Sequence, residues 1–405
     1  MRKTIIFLSS IGLQSYSLSR LSRECDLILV VDQLEITHLT HDIKQCFQKV
    51  IISSSGTYCG PIIKLDLDKT ITLLQPKLAT YDTNNVYIVN TSEANTLVAA
   101  ELRQQFRISG LTPSDAVLFT DKSRMKRAVA EKGIRTPKSC LLSANYGHLS
   151  QALGQAFIVK PVDAAGSYGV ELIHTQAELD NYYLKYRPVG DRFIAEQFIS
   201  GTMYHCDVVI QNNKPIFQAC SEYLFPNLDF KNGKNLSSFP VLDPKQQATI
   251  FQFSNQCLQA LGYSNGIYHL ELFVENGECF FLEVGARIPA ALVVKMYEVT
   301  YGVNIADLSV QALTQSLDLS IQQNLTGHYF IWSYLAKTSG EVKQLTKPSF
   351  ASSVDIQWEV EIGQTIDQSK SIIDRVGVLT AHNDCLESIQ QDFENLREYN
   401  PIVPS

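Results

Sequence analysis

At 405 residues, with 45% hydrophobic, 19% charged and 10% aromatic residues and no low-complexity run, the chain has room for two or three domains with substantial cores. A net charge of −7 argues against general binding to nucleic acid or an anionic membrane, so neither is expected as a partner; a local basic pocket for phosphate stays open. The nine scattered cysteines contain no Cys-x-x-Cys pair, which indicates neither a disulfide framework nor structural zinc and fits a reducing cytoplasm.

In chain order, Arg2-Lys3 followed by Ile5–Leu8 faintly resembles a signal peptide, but the apolar stretch is short and soon turns Ser/Gln-rich, so it reads as a first buried strand. No later apolar run approaches membrane-spanning length. Runs at 4–8, 27–31, 49–53 and 86–89 alternate with helix-like stretches, the pattern of a parallel α/β layer. Without a Gly-x-Gly-x-x-Gly the layer is not assigned a dinucleotide. A helix with Ala94, Leu97, Val98 and Leu102 on its apolar face follows, and a domain boundary is expected near 114–120.

Thr120 or Asp121 can cap a helix running to about Lys132. Lys122 at its start could meet a phosphate, although a solvated lysine is the commoner outcome. Strand 157–162 carries Lys160, which needs a partner such as a phosphate to stay charged in a buried strand; an edge lysine reaching water is the alternative. The loop Asp163-Ala-Ala-Gly166-Ser167-Tyr-Gly169 offers backbone donors to a phosphate but does not match the P-loop pattern. Glu196, on the apolar strand 193–199, demands a hydrogen-bond donor such as an exocyclic amine. A hairpin is predicted at 205–211 and 215–221, turning at Asn212-Asn213. The polar segment 224–243 reads as a mobile loop that closes over substrate.

Next come two short acidic strands, 268–274 and 279–287, separated by Glu275-Asn-Gly277. A three-residue loop sets Leu270 opposite Leu282 and Leu272 opposite Phe280, leaving His269, Glu271, Phe281, Glu283 and Arg287 on the other face. A two-residue Asn-Gly turn would put the two glutamates on opposite faces, and the apolar pattern speaks against it. As diagonal neighbours, Glu271 and Glu283 can hold one small divalent cation, which points to magnesium shared with substrate phosphates; the alternative is a solvated sheet face. Arg287 suits bidentate recognition of a carboxylate or phosphate, against a weak surface ion pair. A helix at 303–317, β runs at 328–336 and 356–360, and a final helix at 385–399 complete the chain.

In this order the stretches 121–137, 157–160 with 166–169, 196–201 and 268–287 resemble the ATP-grasp superfamily, especially its carboxylate-amine ligases. The resemblance implies an α/β plus α+β fold: an N-terminal parallel α/β domain (1–118), an ATP-grasp core (119–316) with a flap subdomain at about 119–195, and a β-rich C-terminal lid extension (317–405). It implies ATP and Mg²⁺ as cofactors, with Mn²⁺ an admissible substitute. Lys122 and Lys160 would contact ATP phosphates under a flap formed around Gly166, Ser167 and Gly169. Glu196 would take the adenine amine, the backbone at Gln197 and Ile199 would read the adenine edge, and Phe281 would pack on the ring. Glu271 and Glu283 would hold magnesium, while Arg287, with Lys160 the catalytic candidate, would stabilise the transferring phosphoryl group or orient the substrate carboxylate.

Two positions depart from the family pattern. Gly285 stands where many members have Asn, and Met203 where a ribose-binding Glu is frequent; Asp207 or His205 is the suggested compensation. The function implied is a ligase joining a carboxylate, an amino acid or small peptide, to an amine through an acyl phosphate. A phosphotransferase and a silent nucleotide-binding protein are the competing readings. The partners expected are small-molecule carboxylate and amine substrates, and a homodimer is left open.

Overall fold

The computed structural model describes residues 2–59, 62–164, 166–316, 321 and 324–404. Ala165 of the glycine-containing loop, and Leu317 where the 303–317 helix was expected to end, lie outside the described residues.

Strands β1 (Thr4–Leu8), β2 (Asp26–Asp32), β3 (Lys49–Ser53) and β6 (Val86–Asn90) form a parallel sheet in the order β3-β2-β1-β6. A small antiparallel pair, β4 (Thr57–Cys59) and β5 (Ile62–Lys64), interrupts the alternation. Every residue of β1 is buried, as a strand covered on both faces requires. One face packs Ile6, Leu8 and Ile28 against helices Leu67–Leu78 and Thr96–Phe106. The other packs Ile5, Phe7 and Leu29 against Val293, Tyr297, Ile305 and Leu308 of the helices Val293–Tyr301 and Ile305–Leu313. The N-terminal layer therefore shares a continuous core with the rest of the chain, and the crevice beyond the carboxyl ends of β1 and β6, where the strand order reverses, opens toward it.

Strands β7 (Ser139–Leu141), β8 (Phe157–Pro161), β9 (Glu171–Ile173) and β10 (Phe193–Gln197) make an antiparallel sheet in the order β7-β10-β8-β9. Helices Tyr146–Leu153 and Gln176–Tyr186 back this flap with its own small core. The central layer is an eight-stranded antiparallel sheet of β11 (Thr202–Gln211), β12 (Lys214–Tyr223), β13 (Leu236–Pro240), β14 (Gly266–Glu275), β15 (Glu278–Gly285), β16 (Tyr329–Ala336), β18 (Ser353–Trp358) and β20 (Arg375–Asn383). Its order is β15-β14-β11-β12-β13-β16-β20-β18, so C-terminal strands extend the sheet that carries the acidic hairpin. A three-stranded sheet of β17 (Gly340–Leu345), β19 (Thr365–Ile366) and β21 (Ile402–Pro404) lies beside it.

Two expectations change. Segment 224–243 is not a mobile loop: it holds a 3₁₀ turn, Asn227–Asn232, and the fully buried strand β13, which pairs with β12 and β16. Its polar Ser237 and Ser238 hid a strand whose hydroxyls find partners inside, Trp332 O for Ser237 and His205 for Ser238.

The acidic hairpin also differs in register. Asn276 (φ 52°) and Gly277 (φ 78°) form a two-residue turn between paired Glu275 and Glu278, the type I′ geometry that suits twisted strands. A β-bulge at Leu282 then restores the phase, so Glu271 lies directly opposite Glu283 rather than diagonal to it. Phe281 pairs with Leu272 and Leu270 with Val284, all on the core face.

Candidate active site

Flap, central sheet and N-terminal crevice enclose a cavity of about 170 Å³. Lys122, Lys160, Gly166, Ser167, Glu196, Gln197, Ile199, Glu271, Glu283 and Arg287 all line it, although they are spread along the chain from position 122 to position 287.

Lys122 opens the helix Lys122–Ala130, whose N-cap is Asp121, with its carboxylate accepting from the amides of Ser123 and Arg124. The Lys122 side chain is buried rather than solvated: its Nζ donates to Ala164 O at 2.7 Å and lies 3.3 Å from Glu283 Oε2. Burial alone would lower its pKa, but Glu283 and Glu93 outweigh that and raise it, so the ammonium stays charged. Glu283 is drawn down to about 2: its burial opposes this, and Lys122, Lys160 and Lys126 prevail.

Lys160 projects from β8 with its Nζ 2.9 Å from Glu196 Oε2. Lys126, one helical turn beyond Lys122, reaches the same oxygen at 2.7 Å. Burial raises the Glu196 carboxyl, yet the two lysines more than offset it and hold it ionised. Burial, only partly offset by Glu196, draws the Lys126 ammonium down to about 7. Glu196 Oε1 is buried without a hydrogen-bond partner among the described residues, a site for an incoming donor.

On the central sheet, Glu271 Oε1 accepts from Tyr223 Oη at 2.9 Å and Asn227 Nδ2 at 3.0 Å, and His269 Nε2 lies 3.6 Å from the same oxygen. None of these contacts uses Oε2. Arg287 Nη2 meets Glu93 Oε2 at 3.0 Å, and its Nη1 donates to Ile288 O at 2.9 Å. From the 3₁₀ turn that carries Asn227, Lys231 donates to Ser167 O at 2.6 Å, so one turn touches both the acidic hairpin and the flap.

Beneath Glu271, Asp207 takes His205 Nδ1 at 2.7 Å, His269 Nδ1 at 2.8 Å and Tyr297 Oη at 3.0 Å. His205, Asp207 and His269 lie close enough to be metal ligands, but both imidazoles spend Nδ1 on Asp207. They form a hydrogen-bonded network. Burial would lower His269, yet Asp207 raises it to about 9; burial would raise Asp207, yet His269 and His205 hold it well below the usual carboxylate range.

A sequence model described as the ATP-grasp domain matches residues 119–291. The chain carries an ATP-grasp domain. It is 23% identical over 328 residues to an L-arginine-specific L-amino acid ligase of Bacillus subtilis, covering 76% of this chain and 77% of that protein. It is 27% identical over 165 residues to a D-alanine–D-alanine ligase of Verminephrobacter eiseniae, covering 38% of this chain and 49% of that protein. Its fold matches the crystal structure of an L-amino acid ligase from Bacillus licheniformis with a TM-score of 0.73 at 14% identity, over 100% of this chain and 99% of that one. It also matches a carboxyaminoimidazole ribonucleotide synthase from Aspergillus clavatus complexed with ATP, with a TM-score of 0.69 at 11% identity and 98% coverage of each. Among the described residues no helix is long and apolar enough to cross a membrane.

Within this ATP-grasp domain three assignments need correction. Phe281 cannot pack on a bound ring: it is fully buried in the core behind the sheet, because the bulge turns Leu282 to the cavity in its place. Gly169 does not line the cavity; at φ +70° it turns the chain against Pro161, where a Cβ would come within 2.9 Å of the ring. His205 and Asp207 are fully buried and do not line it either, so neither replaces the missing ribose ligand at Met203, which does. At Gly285 the Arg287 side chain lies where a Cβ would project, within 3.5 Å, and so fills the space an Asn would take.

Glu93, Lys126, Tyr223, Asn227 and Lys231 were absent from the sequence reading. The signal for Lys126 was a lysine four residues after Lys122, beside Met125 and Val129 of the buried helix face. Glu93 had none, since only the folding of β6 onto β1 brings residue 93 to the cavity.

Proposed function

We propose that the protein is an ATP-dependent carboxylate-amine ligase acting on amino acids or small peptides, giving an amide, ADP and phosphate. The observation that carries this reading is the meeting of two opposed carboxylates, Glu271 and Glu283, with Lys122, Lys160 and Arg287 around one cavity. Its relatives' names, L-amino acid ligase and D-alanine–D-alanine ligase, support it.

ATP enters as a substrate between flap and sheet. The unpartnered Glu196 Oε1 accepts from the adenine amine, the backbone at Gln197 and Ile199 meets the ring edge, and Leu282 and Phe273 supply the apolar contact first given to Phe281. Lys122 and Lys160 neutralise the phosphates beside Gly166 and Ser167. An all-oxygen pair, Glu271 and Glu283, fits magnesium, which when bound would offset phosphate charge. The substrate carboxylate oxygen bonds to the γ-phosphorus as the bond to the ADP oxygen breaks; the amine nitrogen then attacks the carbonyl carbon, expelling phosphate and losing a proton. Nothing here requires a nucleophilic side chain, and the work of the protein is charge stabilisation and exclusion of water.

Arg287 and Glu93 are opposite charges paired at 3.0 Å at the cavity wall. An amino-acid zwitterion has the complementary pair, its carboxylate for Arg287 and its ammonium for Glu93. Glu93→Gln should therefore raise KM for the amino-acid substrate roughly ten- to hundredfold while leaving KM for ATP within about threefold, the loss of a charged hydrogen bond. Initial-rate kinetics with each substrate varied would decide it.

A phosphate-release screen over pairs of amino acids, with mass spectrometry of the products, tests the main reading. Amide with stoichiometric ADP is the expected result. Consumption of ATP with a stable phosphorylated product and no amide would replace it with a phosphotransferase.

A further inference from the structure

We propose that Lys126 is a positioning residue for nucleotide choice: it fixes the Glu196 carboxylate so that Oε1 faces the cavity as an acceptor for a 6-amino purine. This rests on the ATP-dependent reading above and deepens it.

Lys126 is 2% exposed and does not line the cavity, so it touches no nucleotide itself. It shares Glu196 Oε2 with Lys160, at 2.7 and 2.9 Å, while Oε1 is left buried and unpartnered among the described residues. Two buried lysines thus converge on one carboxylate oxygen, with the ionised Glu283 as the next carboxylate acting on both. Lys160 lines the cavity and can turn to a phosphate. Lys126 cannot, and it remains to hold Glu196 ionised once Lys160 has gone. An ionised carboxylate only accepts hydrogen bonds. Adenine presents an N6 amine there, whereas guanine presents the acceptor O6, so two lone-pair groups would face each other without a proton between them.

Calorimetric titration of the full chain with ATP and with GTP, each with magnesium, measures this directly. The wild type should prefer ATP by about a hundredfold or more. Lys126→Met leaves a neutral Lys160–Glu196 pair and should fold, as a melting curve would show; Lys126→Gln is the second variant should it not. In either, ATP binding should weaken about tenfold or more while GTP binding changes less, so the preference falls by about tenfold. A purely structural lysine would lower stability without moving that ratio. A folded variant with the wild-type ATP-to-GTP ratio would overturn the proposal, as would a wild type that binds the two nucleotides equally. Because binding is read without turnover, a protein with Lys126-dependent selectivity that forms no amide would sink the ligase reading and leave this one standing.

Discussion

Replacing Glu283 by Gln should lower ATP-dependent phosphate release by about 10²–10³-fold in the presence of the true substrates, the scale on which loss of one preorganised electrostatic group acts. Glu283 is held ionised by Lys122, Lys160 and Lys126, and it stands opposite Glu271 across the bulged hairpin. The amide isostere keeps the shape and removes the charge. A folding defect is not expected, because the Glu283 side chain is 28% exposed and Lys122 keeps Ala164 O and Glu93 as neighbours. Partial recovery at high magnesium would identify the loss as one of cation affinity. Turnover within about threefold of the wild type, by continuous phosphate assay, would end the assignment of Glu283 to the metal and weaken the ligase reading with it.

The second large effect is on stability. Asp207→Asn should cost about 3–5 kcal/mol in urea unfolding, since removing one partner of a buried charged network leaves the other uncompensated. Both imidazoles and the Tyr297 hydroxyl converge on this one carboxylate, which is fully buried. The pH dependence has a definite sign. A carboxyl whose folded pKa is depressed contributes stability that is fully present above its unfolded value, about 3.9, and is lost only as pH falls through the folded value. Asp207 is depressed well below the usual range despite its burial. Asp207 also raises His269 to about 9, and that contribution is complete only below the unfolded imidazole value of about 6.5 and fades as pH rises toward 9. The gap between wild type and Asp207→Asn should thus widen modestly from pH 7 to about pH 5.5, hold to about pH 4.5 and close only in stronger acid. A gap that closes already between pH 6 and pH 5 would show that Asp207 is not held ionised by its neighbours.

Much of this site was legible because its groups sit on strongly patterned segments. Lys160 on an apolar strand, Glu196 on another, and Glu271 and Glu283 on a hairpin each violate an apolar alternation, and a charged group in a buried strand must have a partner. The same local logic failed where a long-range contact set the outcome. Strand β13 is polar in sequence because its serines bond to β16 and His205, partners 95 and 33 residues away. The hairpin turn was misassigned because the two-residue Asn-Gly turn and the common face of the glutamates looked incompatible. The bulge at Leu282 reconciles them, and its cost is met by burying Phe281 against the helix Pro244–Leu261 layer.

Residue types and their periodicity by themselves determined the parallel N-terminal layer, the flap strands, the acidic hairpin and the charges that had to converge somewhere. Which of those charges touch, that Phe281 faces inward and Leu282 outward, that Glu93 lines the cavity and that Lys126 stands behind Glu196 were decided only by tertiary structure. The reason is physical: side-chain period is a local property of the backbone, whereas register, bulges and domain docking are settled by the burial of surfaces far apart in the chain.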